Sequence, residues 1–234
     1  MKTITTRAVS AVMVPVMLVA CAALPPPGTK LTEQERAEAQ KNCINQYVVG
    51  GAIGGALLGM LVSSRNDRAQ GAVVGAIAGG ALAYSIAWGK CLKYYSDTNS
   101  FPVADARQTA ASVGYTASRG NEVRIQNFTV TPSQIAPGGN LKLSGSYYVM
   151  APDGQQEVKV VETRTVHFFD PSANEWKELG SETTPITAAL GTRRSEGQTG
   201  MPTEVAEGRY RVTFKVSALG REDQASQEVV IKKT

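Results

Sequence analysis

The feature that most limits how this chain can fold is a pair of uncharged, glycine-rich stretches, 44–64 and 69–89, each 21 residues long. Between them lies one polar cluster, Arg65-Asn66-Asp67-Arg68. The first arm, YVVGGAIGGALLGML, sets Gly51, Gly55 and Gly59 at four-residue spacing, with Gly50 and Gly54 beside them. The second, GAVVGAIAGGALAYSIAWG, repeats the row with Gly71, Gly75 and Gly79, continued by Ala83 and Ala87. In a water-exposed helix each glycine costs about 1 kcal/mol relative to alanine. Such a helix forms only where a second backbone comes close, which faces of small residues four apart permit. Twenty-one helical residues reach about 31 Å, near the thickness of a bilayer's hydrocarbon core. The pattern predicts a helical hairpin turning at the polar cluster and packed through its glycine rows. A flexible linker would lack the interleaved Leu, Ile and Val. A water-soluble hairpin packed on another domain stays open as the alternative. Tyr84 and Trp88 suit either an interfacial aromatic belt or packing.

Of the three cysteines, Cys43 and Cys91 flank this pair, and their midpoint, residue 67, falls inside the polar cluster. A hairpin turning there brings them together at its base. A disulfide closing a connection of this length stabilises the fold by about 4 kcal/mol on chain-entropy grounds. Two buried free thiols are the alternative. One histidine far away in sequence argues against a zinc site.

On these paired arms, residues 47–89 resemble the glycine-zipper family of bacterial envelope lipoproteins. The resemblance implies an antiparallel, membrane-associated helical hairpin that oligomerises, with Gly51, Gly55, Gly59, Gly71, Gly75 and Gly79 as its packing positions.

The N-terminus fits the same setting. Residues 1–20 open with Lys2 and Arg7 and continue into an apolar run, the form of an export signal too short to span a bilayer permanently. The run ends in Leu18-Val19-Ala20-Cys21, which resembles the lipobox of bacterial lipoproteins and implies acylation of Cys21. That covalent lipid is the one non-protein group expected; no cofactor or metal is. Ala22, in place of Asp, implies the outer membrane by the same resemblance. Without Lys2 and Arg7 the formal charge drops from +4 to +2, too little to argue for a nucleic-acid partner. Residues 21–30, with AALPPPGT, read as a stiff proline-rich tether. Thr32 and Glu35 then form a capping box for a helix starting near Glu33 and running into the first arm.

The C-terminal half has a different texture. Residues 96–120 read as a linker with a short helix in Val103–Val113. From 121 onward, alternating runs are separated by turn signals such as Ala136-Pro137-Gly138-Gly139 and Pro152-Asp153-Gly154. Seven strands are predicted: Glu122–Thr131, Asn140–Met150, Glu157–Phe169, Trp176–Glu182, Pro185–Gly191, Gly208–Leu219 and Ala225–Lys232. The segments TVTPSQIAPGGNLKLSGSYYV and EVAEGRYRVTFKVSALG resemble strands of bacterial Ig-like domains. The fold class expected is therefore α+β in separate parts, a zipper hairpin followed by an antiparallel Ig-like sandwich.

Catalysis finds little support. His167 sits in the strand-like run Thr165–Phe169 (TVHFF), and no nucleophile motif such as G-x-S-x-G occurs in the chain. Gly138-Gly139 lies between strands and is no phosphate loop. Arg193-Arg194, in GTRRSEG, reads as a solvated loop. The sequence points to a non-enzymatic outer-membrane lipoprotein that oligomerises through its hairpin. Its partners would be membrane lipid, other copies of itself, and an envelope protein bound by residues 121–234 on the periplasmic side. A zipper-lined pore and a surface adhesin are the alternatives.

Overall fold

The computed structural model describes residues 31–52, 80–152 and 157–233. Cys21, Gly55, Gly59, Gly71, Gly75 and Gly79 lie outside the described residues, as do the segments read as signal peptide and tether. Helix α1 (Glu33–Ala52) includes the backbone of Gly51. It starts where its cap predicts. The Thr32 amide donates to Glu35 Oε2 at 2.9 Å, and the Glu35 amide donates back to Thr32 Oγ1 at 3.3 Å.

Helix α2 covers 80–90, and a single turn separates it from the short helix α3 (Leu92–Tyr95). Strand β1 (Ser96–Asp105) follows without a linker. Helix α4 (Ala106–Val113) is capped by Asp105, whose carboxylate accepts from the Gln108 amide at 2.8 Å. Gly114, at φ 64°, ends it. The remaining strands are β2 (Glu122–Thr131), β3 (Gln134–Ile135), β4 (Asn140–Met150), β5 (Glu157–Asp170), β6 (Glu175–Ala189), β7 (Gly191–Gly200), β8 (Gly208–Ala218) and β9 (Arg221–Ile231). They form a four-stranded sheet, β1-β7-β4-β2, and a five-stranded sheet, β3-β9-β8-β5-β6.

The two sheets meet around Phe214 of β8, which is 1% exposed. Its ring stacks on Phe128 of β2 at 5.4 Å and tilts against Tyr147 of β4 at 6.1 Å. Gly145 makes room for it, since a Cβ there would lie 2.8 Å from Phe214 Cε1.

The strand set corrects the sequence reading in three places. Residues 96–105, read as linker, are strand β1, paired antiparallel with β7 from Ser96↔Thr199 to Asp105↔Gly191. Their signal was weak because the run is polar and contains Pro102, which an edge strand tolerates at a register shift. The loop GTRRSEG is part of β7, flanked on both sides in its sheet. It lacks apolar alternation because its inward positions include Arg193 and Ser195, both buried. Arg193 Nη2 donates to the Ser100 carbonyl at 3.0 Å, so a side chain read as solvated is committed to the neighbouring strand. Finally, Trp176–Glu182 and part of Pro185–Gly191 are one 15-residue strand, β6. With β1, β3 and β7 added, the described residues hold nine strands in place of the predicted seven.

Candidate functional site

The site with most structure is the junction where the helical segment enters the β layers. Cys43 of α1 and Cys91, between α2 and α3, form a disulfide with Cα atoms 6.0 Å apart. Around it Ala39, Ile44, Ala87, Trp88 and Leu92 are buried in the same core as the strands. Gln40 Nε2 adds a hydrogen bond to the Tyr94 carbonyl at 2.9 Å.

Helix α2 is fixed to the β layers by polar contacts as well as apolar ones. Trp88 Nε1 donates to the Gly200 carbonyl at 3.0 Å. Ser85 Oγ accepts from the Ala206 amide at 2.9 Å and lies 2.9 Å from the Tyr210 hydroxyl. Tyr210 in turn donates to the Ala206 carbonyl at 2.8 Å. Burial pushes the Tyr210 hydroxyl up to about 12, so it stays a donor at any ordinary pH. The Trp88 indole meets the Tyr210 ring edge-on at 6.3 Å. Trp88, at 1% exposure, is therefore a packing residue of the junction. Tyr84 is partly buried, and burial together with Glu204 raises its pKa.

Beneath the junction the interior is charged. Glu162 and Arg164 of β5 are 1% and 5% exposed. Glu162 accepts from Tyr147 at 2.8 Å, from Ser195 at 2.6 Å and from Arg164 Nη2 at 2.9 Å. Arg164 Nη2 also contacts Ser195 Oγ. Burial, reinforced by Glu162, raises the Tyr147 hydroxyl well above its ordinary value. A cavity of about 20 Å3 adjoins this cluster, lined by Trp88, Leu92, Ser96, Arg164, Glu182 and Thr199 among others. That is room for about one water molecule.

Two surface features complete the inventory. On the outer face of the five-stranded sheet, Arg211 lies 3.9 Å from the Trp176 ring centroid and Arg209 lies 4.7 Å from that of Phe169. Glu228 pairs with both arginines, Arg209 first, and they hold its carboxyl below the usual range. His167 stands in this face, in register with Glu178 and Arg211. The second is an open polar groove of about 1120 Å3 beside α1, lined by Arg36, Gln40, Tyr95, Asp97, Lys142 and Gln198 among others.

The structure thus brings together Cys43 and Cys91 as expected. It also gives contacts to Ser85, Tyr210, Glu162, Arg164 and Ser195, none of them among the predicted site residues. One signal for two of them was available. In EVKVVETRTVHFF the alternation that turns Val158, Val160, Val166 and Phe168 inward also turns Glu162 and Arg164 inward. Among the described residues no cluster of three or more His, Cys, Asp and Glu could hold a metal ion. No helix among them is long and apolar enough to cross a membrane.

The Cys43–Cys91 disulfide ties α1 to the end of α2. Residues 46–87 match the Glycine zipper 2TM domain. The zipper domain suggests a membrane-associated, oligomerising protein, and its match lies between the two disulfide cysteines. No curated protein matches the chain. Among solved structures, the chain is similar to the Pseudomonas fluorescens alkylpurine DNA glycosylase AlkC, at 14% identity and TM-score 0.37 over 86% of this chain and 48% of that one. It is also similar to the Bacillus subtilis sporulation control protein Spo0M, at 8% identity and TM-score 0.35 over 48% and 50% of the two chains. A Listeria innocua β-glucosidase gives 12% identity and TM-score 0.35 over 48% and 16%. The chain spans about half the length of the first two.

Proposed function

We propose that this chain is a non-enzymatic lipoprotein of the bacterial outer membrane. Its zipper hairpin oligomerises in the membrane, and its Ig-like β layers serve as a protein-binding module for an envelope, secretion or pilus assembly. Acylated Cys21 is the second anchor. The observation that carries the reading is the zipper match at 46–87, bounded by a disulfide whose halves are built into the β core. A disulfide suits an oxidising compartment. Helix rows of small residues suit association within lipid, where there is no hydrophobic drive between helices and close packing takes its place.

The test separates packing from greasiness. Gly55→Leu and Gly75→Leu each place a bulky side chain in a glycine row while raising hydrophobicity. Both variants should stay membrane-bound yet lose the oligomers seen by crosslinking in intact membranes, whereas Leu58→Ile should be nearly silent. Oligomers that survive both glycine substitutions would remove the zipper from the mechanism. Cys21→Ser should abolish acyl labelling; labelling that persists would refute the lipid anchor.

A further inference from the structure

Around Glu182 the carboxylates outnumber the guanidinium groups. Glu182 of β6 faces Arg164 and Glu162 from β5, and Ser96 and Asp97 from β1. Thr199 of β7, Trp88 of α2 and Leu92 of α3 line the same cavity and carry no charge. Arg164 already makes its ion pair with Glu162 at 2.9 Å. Glu182 Oε2 and Arg164 Nη1 are both buried without a hydrogen-bond partner among the described residues. An ionised Glu182, partly buried itself, would share the Arg164 guanidinium with the buried Glu162, and Asp97 adds to the repulsion, while Arg193, the other buried guanidinium, lies by Tyr147. A neutral carboxyl removes that excess, since an uncompensated buried charge is far costlier than a neutral polar group.

We propose that Glu182 is a proton-operated latch on the joint between the helical base and the two sheets. With the proton on, β6 closes against β1 over Trp88 and Leu92. With the proton off, the joint opens far enough for water to reach the carboxylate. Both strands are suited to this movement, because β1 and β6 are each the last strand of a sheet and are bonded along one side only. Burial holds the Glu182 carboxyl above the usual value, Asp97 and Glu162 act in the same direction, and Arg164 and Ser96 act against them. The closed form therefore binds more protons than the open form between the ordinary glutamate value and the raised one. Closure weakens as pH rises through that window and stays weakened above it. Each pKa unit of the rise changes the opening equilibrium about tenfold.

The experiment uses the full chain in lipid nanodiscs with Trp176→Phe, which leaves Trp88 as the one tryptophan. Acrylamide quenching of Trp88 should increase reversibly as pH is raised above the ordinary glutamate value. In Glu182→Gln the quenching should remain at its acid level throughout. Equal pH dependence in the two proteins would overturn the latch. The carbon-13 shift of the Glu182 carboxyl in the unsubstituted chain decides the matter independently, should Glu182→Gln not fold. A titration midpoint above the ordinary glutamate range supports the latch, and one at or below that range overturns it.

Discussion

The backbones of Gly89 and Gly180 lie against each other where α2 crosses β6, with no room for a methyl group on either. A Cβ on Gly89 would stand 2.6 Å from Leu179 Cβ, and one on Gly180 would collide with the Gly89 carbonyl. Gly89 closes the second glycine-rich arm, yet its close approach is to a strand. The absence of a side chain at both positions is what lets a helix dock this closely on a sheet.

Gly180→Val should consequently loosen the junction at a distance from the disulfide. Overpacking of this kind costs typically 1–3 kcal/mol. Thermal unfolding of the detergent-solubilised chain should shift down, with increased hydrogen exchange at Trp88 and Leu92. An unchanged melting profile would show that the contact relaxes without cost.

The disulfide makes a second prediction. A Cys43→Ser/Cys91→Ser variant loses about 4 kcal/mol on chain-entropy grounds. Apart from that bond, α1 is held through Gln40 and a short buried face including Ala39 and Ile44. Non-reducing peptide mapping should recover a Cys43–Cys91 linked peptide from the native protein. In the variant, amide exchange should rise over Glu33–Asn42 while β5 and β8 remain protected. Two alkylated free thiols in the native protein would contradict the structure.

Sequence reading found what obeys simple periodicity and missed what depends on partners. Strands β2 and β4 were predicted at the residues where they occur, because their apolar positions alternate between clear turn signals. The α1 cap and the cysteine pair were legible for similarly local reasons. Strand β7 was not, since Arg193 and Ser195 face inward and become acceptable only once Ser100 and Glu162 receive them. Trp88 could not be separated from a membrane-belt residue without knowing that its indole N–H donates a hydrogen bond to the Gly200 carbonyl, 112 residues later.

Truncation tests the corrected boundary. A fragment of residues 121–234 lacks β1, so the edge of β7 is exposed, and it lacks the buried Trp88, Cys91 and Leu92. It should aggregate or melt well below a fragment of residues 80–234. Matching cooperative unfolding of the two would show that the helical base contributes nothing to the β layers.

Phe214→Ala should be among the most damaging single changes in the β layers, costing about 3–5 kcal/mol, because Phe128, Tyr147 and Gly145 are all arranged around that ring. Tyr210→Phe removes only the hydroxyl shared by Ser85 and Ala206 and should cost about 1–3 kcal/mol, since buried partners are left unsatisfied. Denaturant melts of both variants rank the two effects. A Tyr210→Phe loss as large as that of Phe214→Ala would mean the polar clasp outweighs the aromatic core.

The Asp170 turn gives a pH dependence of opposite sign to that of Glu182. Burial works against its carboxylate, but Lys177 at 2.5 Å and Ser172 prevail and hold it below the usual value. Its contribution is present above the unfolded-state value and is lost as pH falls through the lower, folded-state one. Acid unfolding followed by circular dichroism should show Asp170→Asn with a shallower dependence below pH 4 than the native chain, near the reference aspartate value. Superimposable acid limbs would exclude this turn from acid stability.

Ser85 meets Tyr210 across 125 residues of chain. Any process that handles the polypeptide from its N-terminus delivers α2 long before the strands that cover it. At about 5–20 residues per second, ribosomal synthesis puts on the order of 10 s between the two. During that interval Ala87, Trp88 and Leu92 present an apolar face with nothing to occupy it. The junction core is therefore completed late, and the buried face of α2 is covered only once β8 and the segment around Ala206 have been made.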